Sequence, residues 1–430
     1  MKTVKPSEPL KGTITVPADK SITHRAIIFS SLAEGDSVIR NPLRAEDPMS
    51  TLAAFRLMGV SARDGEGGEI IINGNGLRGL AEPSDVIDCG NSGTTARLLC
   101  GVLAAQPFFS VLTGDASLRR RPMSRVTGPL SEMGARFFGR DNGKLLPIAV
   151  RGGLLKPIRF VSPVASAQIK TAILLAGLFC DGVTEVVEPE RSRDHTERML
   201  PAYGANLEVD GLAVRIAGGA RLSGMDMTVP GDISSAAFFI VAALIVPGSE
   251  VLVENVGMNP TRTGMIDILL EMGADIRIQN ERAVSGEPVA DILARHSELK
   301  AITIGGSVIP RAIDEFPSIC VAAAFADGKT VIRDAAELRV KESDRIRAMA
   351  ECLGAMGVPV EELPDGMAIT GVKTLSPGAF DSRGDHRIAM SMAIAGLRAN
   401  GESRIEGDEC IATSFPDFWD CLRRLQGGGT

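Results

Sequence analysis

Apolar residues alternate along short runs of this chain and then recur every three or four positions, and that alternation of strand and helix signals repeats six times. Each unit reads strand, helix, strand, helix, strand, strand. In the first unit residues 12–16 alternate, 21–32 carry helical apolar spacing, 37–40 are extended, and 48–58 form an amphipathic helix stopped by Gly59. Later units restart near Val86, Ile158, Met225, Ala301 and Ala379. The sixth ends after its second helix, 417–425, without closing strands. The first helices open on small polar turns around Asp19, Asn91, Ser166, Asp232, Asp314 and Asp385, at steps of 72, 75, 66, 82 and 71 residues. Most second helices end in a shared phrase: Met58-Gly59-Val60, Met133-Gly134-Ala135, Tyr203-Gly204-Ala205, Met272-Gly273-Ala274 and Met356-Gly357-Val358. Self-similarity at a near-constant period predicts a repeat architecture.

At 430 residues the chain is expected to split into about two or three domains, and the repeat pattern suggests two of three units each. The extended segment 10–16 is expected to supply a missing strand to the last unit, so that the chain crosses twice between domains. Their predicted boundaries are 18–227, and 1–17 plus 228–430, with a cleft between them. The short glycine tail 427–429 is the one low-complexity stretch.

Composition narrows the function. A formal charge of −7, with a single Trp and a single Tyr, argues against a general nucleic-acid or membrane surface. The longest apolar stretch, 236–246, is too short to span a bilayer. Seven cysteines without a CxxC, and four scattered histidines, predict buried reduced thiols and no metal site. The start of the chain has no apolar signal core, so a cytoplasmic protein is expected.

Candidate chemistry gathers at the repeated turns. Ser, Asp or Asn at a helix start is ordinarily a cap for orphan N–H groups. Six such starts at equivalent positions would form anion-attracting sets, because helix N-termini present free donors and partial positive charge. Cations stand beside them: Lys20, Arg25, the run 119–121, Arg191, Arg193, Arg339, Lys341, Arg345 and Arg387. A basic run is commonly a solvated face, but Arg121 immediately precedes Pro122 at a helix start, where oxyanions are well held. Asp314-Glu315 and Glu342 lie among these bases. Such carboxylates are ordinarily caps or ion-pair partners; in a basic site they also suit proton donor and acceptor roles. Gly74-Asn75-Gly76-Leu77-Arg78-Gly79 fits a dinucleotide fingerprint but leads into Leu80-Ala81-Glu82-Pro83, so a turn is expected there.

In this order the strings Asp19-Lys20-Ser21-Ile22-Thr23-His24-Arg25, Gly90-Asn91-Ser92-Gly93-Thr94-Thr95-Ala96-Arg97, Arg121-Pro122-Met123, Ser166-Ala167-Gln168, Asp314-Glu315-Phe316-Pro317, Arg339-Val340-Lys341-Glu342-Ser343-Asp344-Arg345 and Asp385-His386-Arg387 closely resemble the 5-enolpyruvylshikimate-3-phosphate synthase family. The resemblance spans essentially the whole chain. It implies an α/β, two-domain enolpyruvyl transferase fold, each domain three βαβαββ repeats (an inside-out α/β barrel). It also implies transfer of the enolpyruvyl group of phosphoenolpyruvate to the 5-hydroxyl of shikimate 3-phosphate, with no metal or organic cofactor and with these two small molecules as partners. A monomer is expected. By position, Lys20, Ser21, Arg25, Ser166, Ala167 (through its backbone), Gln168, Arg193, Asp314 and Lys341 resemble shikimate 3-phosphate ligands. Lys20, Gly93, Arg121, Gln168, Arg345 and Arg387 resemble the phosphoenolpyruvate site, and Asp314, Glu342 and Lys20 the proton-handling groups.

Three departures from the commonest bacterial pattern stand out. Thr413 occupies a usual Lys position, and Ser166-Ala167 replaces a serine pair. The string Arg191-Ser192-Arg193-Asp194-His195-Thr196-Glu197 resembles the second class of the family, often less sensitive to glyphosate, whereas Gly93 retains the small residue associated with space for that inhibitor. Two alternatives compete. A UDP-N-acetylglucosamine enolpyruvyl transferase usually carries a loop cysteine, absent from 116–121, and Lys-Asn where this chain has Lys20-Ser21. A silent anion-binding scaffold would have no need for Asp314 and Glu342.

Overall fold

A computed structural model describes residues 1–427; the last two glycines of the tail, 428–429, lie outside the described residues. The chain forms two compact units, one of residues 18–229 and one of 1–17 with 230–430. Each is α/β and contains three βαβαββ repeats, the last lacking its closing strands.

In the second, third and fifth repeats the first strand runs parallel to the second, and the two closing strands are antiparallel. In the second repeat, for example, Ile87–Asp88 pairs parallel with Phe109–Thr113, which pairs antiparallel with Leu145–Arg151. The first helices are the interior of each unit and the sheets lie outside them. All thirteen residues of Ile233–Ile245 are buried, as are eleven of thirteen in Lys20–Leu32. Burial on every side explains why these helices show little amphipathic asymmetry. Helices Gly93–Leu103 and Ala167–Gly177 approach so closely at Gly101 that an added Cβ would stand 2.2 Å from the Ala172 carbonyl oxygen.

The shared Met-Gly phrase is a helix stop. Gly59, Gly134, Gly204, Gly273 and Gly357 all have positive φ, and the following N–H donates to a carbonyl five residues back, as Val60 does to Phe55 (3.0 Å). This is the hydrogen-bond pattern of a left-handed glycine cap.

The N-terminal strands are placed differently from expectation. Residues 12–16 were expected to open the first repeat, and 10–16 to complete the last. Instead Lys11–Thr15 lies parallel to Glu250–Gly257 in the fourth repeat's sheet, with Val253 opposite Ile14. Asp226–Thr228 takes the equivalent place beside Glu34–Arg40 in the first repeat. The last repeat is completed by Lys2–Val4, antiparallel to Ser403–Glu406. Alternation marks a strand and its buried face but does not say which sheet edge receives it. The Gly74–Gly79 string begins as the end of strand Ile70–Asn75 and turns at Leu77-Arg78, with no helix after it. All seven cysteines are unpaired, six of them buried. Among the described residues no helix is long and apolar enough to cross a membrane.

Candidate active site

In the unit of residues 18–229, three helix starts carry the predicted residues. Asp19 caps Lys20–Leu32 by accepting from the Ile22 N–H (2.8 Å), and Ser92 caps Gly93–Leu103 by accepting from Thr95 (3.1 Å). Ser166 caps Ala167–Gly177. Each cap uses one orphan donor and leaves others near the same end. Hydroxyls tie the first two starts together: His24 Nδ1 pairs with Thr51 Oγ1 (2.7 Å), Thr51 with Thr95 Oγ1 (2.7 Å), and Thr95 with Ser92 Oγ (2.7 Å). Burial, then the charges of Lys20 and Arg25, hold His24 well below the usual imidazole range, so it serves this chain as a neutral ring.

Lys20 donates to Asp47 Oδ2 (2.9 Å), and both side chains remain partly open to solvent. Arg25 is buried, donating to Thr196 Oγ1 (2.7 Å), Thr171 Oγ1 (2.9 Å) and the Ser21 carbonyl (3.1 Å). Gln168 is clamped at both ends: its Oε1 accepts from Arg97 (2.7 Å) and its Nε2 donates to Thr94 Oγ1 (2.9 Å). Of the basic run 119–121 only Arg121 is buried, after the turn Leu118–Arg120. Its guanidinium donates to Asn91 Oδ1 (2.7 Å), the Asn91 carbonyl (3.2 Å) and Ser117 Oγ (3.2 Å). A Cβ at Gly93 would lie 2.9 Å from Arg97 Nη1 and 3.4 Å from Arg121 Nη1, so two guanidinium groups converge on the one residue without a side chain. Arg193 stands half-buried on the loop before helix His195–Met199.

The unit of 1–17 with 230–430 gathers charges more densely. Asp314 sits in the turn between helices Val308–Ala312 and Phe316–Ala323. Its Oδ1 accepts from Lys341 Nζ (3.3 Å) and Arg345 Nη1 (3.2 Å), while Arg387 Nη2 stands 4.0 Å from Oδ2. Arg345 opens helix Arg345–Ala355 and is 1% exposed. It also donates to Glu342 Oε2 (2.6 Å) and, through Nε, to Asp385 Oδ2 (2.9 Å). Burial works against its charge, yet the carboxylates of Asp385, Glu342 and Asp314 outweigh burial and hold its pKa above the usual range. Three cations thus face Asp314, and one guanidinium fixes three carboxylates. Such an arrangement can bind an anion beside groups able to move protons. Arg339 serves the local fold instead, bonding Asp344, Glu362 and the carbonyls of Leu363 and Pro364. Thr413 is buried and pairs with His386 Nδ1 (3.3 Å).

The model for EPSP synthase (3-phosphoshikimate 1-carboxyvinyltransferase) matches residues 4–422. A protein of Citrifermentans bemidjiense named 3-phosphoshikimate 1-carboxyvinyltransferase is 59% identical over 420 residues, covering 98% of each chain. One of the same name from Pelotomaculum thermopropionicum is 57% identical over 97% of each. The chain belongs to the EPSP synthase family. The solved EPSP synthase of Acinetobacter baumannii superposes with a TM-score of 0.87 at 48% identity, over 98% of this chain and 97% of that one.

Several candidate site residues are held by partners outside the candidate set. Asp47 holds Lys20, Arg97 holds Gln168, Thr171 and Thr196 hold Arg25, and Asp385 holds Arg345. Arg97 was legible in principle: four residues beyond Gly93, it lies on the same helix face. Asp47 was not, since an acid in a helix's first turn reads as a dipole partner.

Proposed function

We propose that this EPSP synthase family member transfers the enolpyruvyl group of phosphoenolpyruvate to the 5-hydroxyl of shikimate 3-phosphate, giving 5-enolpyruvylshikimate 3-phosphate and phosphate in the shikimate pathway of aromatic amino acid biosynthesis. The observation that carries the chemistry is the buried Arg345 joining Asp314 to Glu342, with Lys341 on the same Asp314 oxygen. In the addition step the 5-hydroxyl oxygen bonds to C2 of phosphoenolpyruvate, its proton leaves, and a proton arrives at C3. In the elimination step a proton leaves C3 and the bond from C2 to the phosphate oxygen breaks. Asp314 accepts the hydroxyl proton, Glu342 handles protons at C3, and Lys20 shares in the transfers while balancing negative charge.

Lys20, Ser21, Arg25, Ser166, Ala167, Gln168, Arg193, Asp314 and Lys341 bind shikimate 3-phosphate. Lys20, Gly93, Arg121, Gln168, Arg345 and Arg387 bind phosphoenolpyruvate. What supports these roles is the convergence of donors in each unit: Arg121 and Arg97 about Gly93, and Lys341, Arg345 and Arg387 about Asp314. Action as a cytoplasmic monomer belongs to the same proposal.

Phosphate release with both substrates present, and none when either is omitted, is the expected result. Release with UDP-N-acetylglucosamine as acceptor in place of shikimate 3-phosphate would overturn the choice of acceptor. Arg121→Ala is expected to raise the apparent KM for phosphoenolpyruvate about 10- to 100-fold, the worth of losing hydrogen bonds to a charged group; an unchanged KM would remove Arg121 from that role. Gly93→Ala is expected to raise the same KM about 10-fold by displacing the Arg97 guanidinium and, because Arg97 also holds Gln168, to raise the KM for shikimate 3-phosphate by a smaller factor. Equal shifts in both constants would count against a local effect on phosphoenolpyruvate.

A further inference from the structure

One charged cluster in the unit of 18–229 is not used by the chemistry above. Lys170 is the one charged residue of helix Ala167–Gly177, and its side chain is 1% exposed. It donates to Glu188 Oε2 (2.7 Å) and lies 2.5 Å from Glu197 Oε1. Glu188 follows strand Val183–Val187, and its own N–H is bonded to the Leu212 carbonyl (3.0 Å), which anchors it to the sheet. Its carboxylate then reaches two loops at once. Oε1 accepts from the Ser166 N–H (3.1 Å) and Oε2 from the Ser192 N–H (3.3 Å). Ser166 begins the turn Ser166-Ala167-Gln168, and Ser192 precedes Arg193.

The two helices concerned are joined by successive side chains. Lys170 pairs with Glu197 while the next residue, Thr171, bonds Thr196 (2.6 Å), and both threonines accept from Arg25. One short seam therefore connects the sheet anchor Glu188 to Arg25, Ser166 and Arg193. Burying an ammonium with two carboxylates is costly, and a well-packed apolar trio of similar volume is commonly as stable or more so. What an apolar trio lacks is an acceptor for the N–H groups of Ser166 and Ser192.

We infer that Glu188, fixed by Lys170 and Glu197, is a positioning residue for the shikimate 3-phosphate ligands, holding the Ser166 turn and the Arg193 loop in register with Arg25. This assignment rests on the substrate roles proposed above. Its reach toward phosphoenolpyruvate is narrower: Arg121 is held by Asn91 and Ser117, Arg97 and Arg121 converge on Gly93, and Gln168, the one ligand of both substrates on the Ser166 turn, has its side chain held separately by Arg97 and Thr94.

The test uses full-length enzyme and two variants, Glu188→Gln and Glu188→Ala, with steady-state kinetics, calorimetric binding of shikimate 3-phosphate alone, and thermal unfolding. Glu188→Gln keeps the shape and one oxygen, so the KM and Kd for shikimate 3-phosphate are expected to rise about 5-fold. Glu188→Ala is expected to raise them about 20-fold or more. In both, the KM for phosphoenolpyruvate at saturating shikimate 3-phosphate stays within about twofold. Unchanged constants, or a fall in unfolding temperature with both KM values shifted alike, would overturn the inference; so would failure of both variants to fold, which would make the trio a folding element. If only Glu188→Ala fails to fold, Glu188→Gln decides. A parent enzyme that neither binds nor turns over shikimate 3-phosphate would instead overturn the substrate roles themselves.

Discussion

Asp314→Asn is expected to lower kcat by about 100- to 10,000-fold, the usual worth of a positioned general base, while shikimate 3-phosphate still binds. Asn preserves the side-chain shape and an oxygen facing Lys341 and Arg345, which both donate to Oδ1. It removes the capacity to take a proton. Loss of a transition-state role lowers kcat more than it raises KM, so binding of shikimate 3-phosphate should weaken by no more than about tenfold. Steady-state rates together with calorimetric binding separate the two. Turnover within tenfold of the parent, with binding intact, would remove Asp314 as proton acceptor. Glu342→Ala belongs in the same experiment: a scaffold that only bound anions would tolerate both changes.

Arg345→Met should be the most damaging single change in the unit of 1–17 with 230–430. The buried guanidinium is the common partner of Asp314, Glu342 and Asp385, and Met fills much of its volume without its charge. Removing one side of a buried ion pair costs about 3–5 kcal/mol, because the other side is left desolvated and uncompensated. The same deletion withdraws a proposed phosphoenolpyruvate ligand and lets Asp314 and Glu342 repel each other out of place. We expect kcat/KM for phosphoenolpyruvate to fall about 1,000-fold or more, and urea unfolding to report a loss of about 3–5 kcal/mol. Arg345→Lys should recover part of the stability and little of the activity, since one ammonium cannot reproduce the planar fork that meets three carboxylates. A variant as stable as the parent would show that the carboxylates do not need this partner.

Thr413 illustrates how far a departure from the family's common pattern can be followed. A Lys there would place a cation beside His386. Here a buried hydroxyl pairs with His386 Nδ1 and donates to the Cys410 carbonyl (2.8 Å). Lys341, Arg345 and Arg387 stand within 4.0 Å of Asp314.

Local patterns in the chain were enough for the repeat, its α/β class and the ends of its second helices, because apolar period, capping residues and positive-φ glycines act over a few residues. The family's strings, each lying at a helix start or just before one, were legible for the same reason. Lys170 was a visible anomaly, one charge in an apolar helix, but its partners Glu188 and Glu197 are 18 and 27 residues away and nothing local pairs them. The partners of the candidate site residues lie equally far off in sequence: Asp47 for Lys20, Thr196 for Arg25, Asp385 for Arg345. Strand destination belongs with them. Lys11–Thr15 and Asp226–Thr228 carry the alternation of a strand opening the helix that follows, yet each hydrogen-bonds in another repeat's sheet. Period and capping are settled within a turn or two of backbone, whereas edge pairing and buried charge pairing are settled by which distant segments the packed core brings within 3 Å.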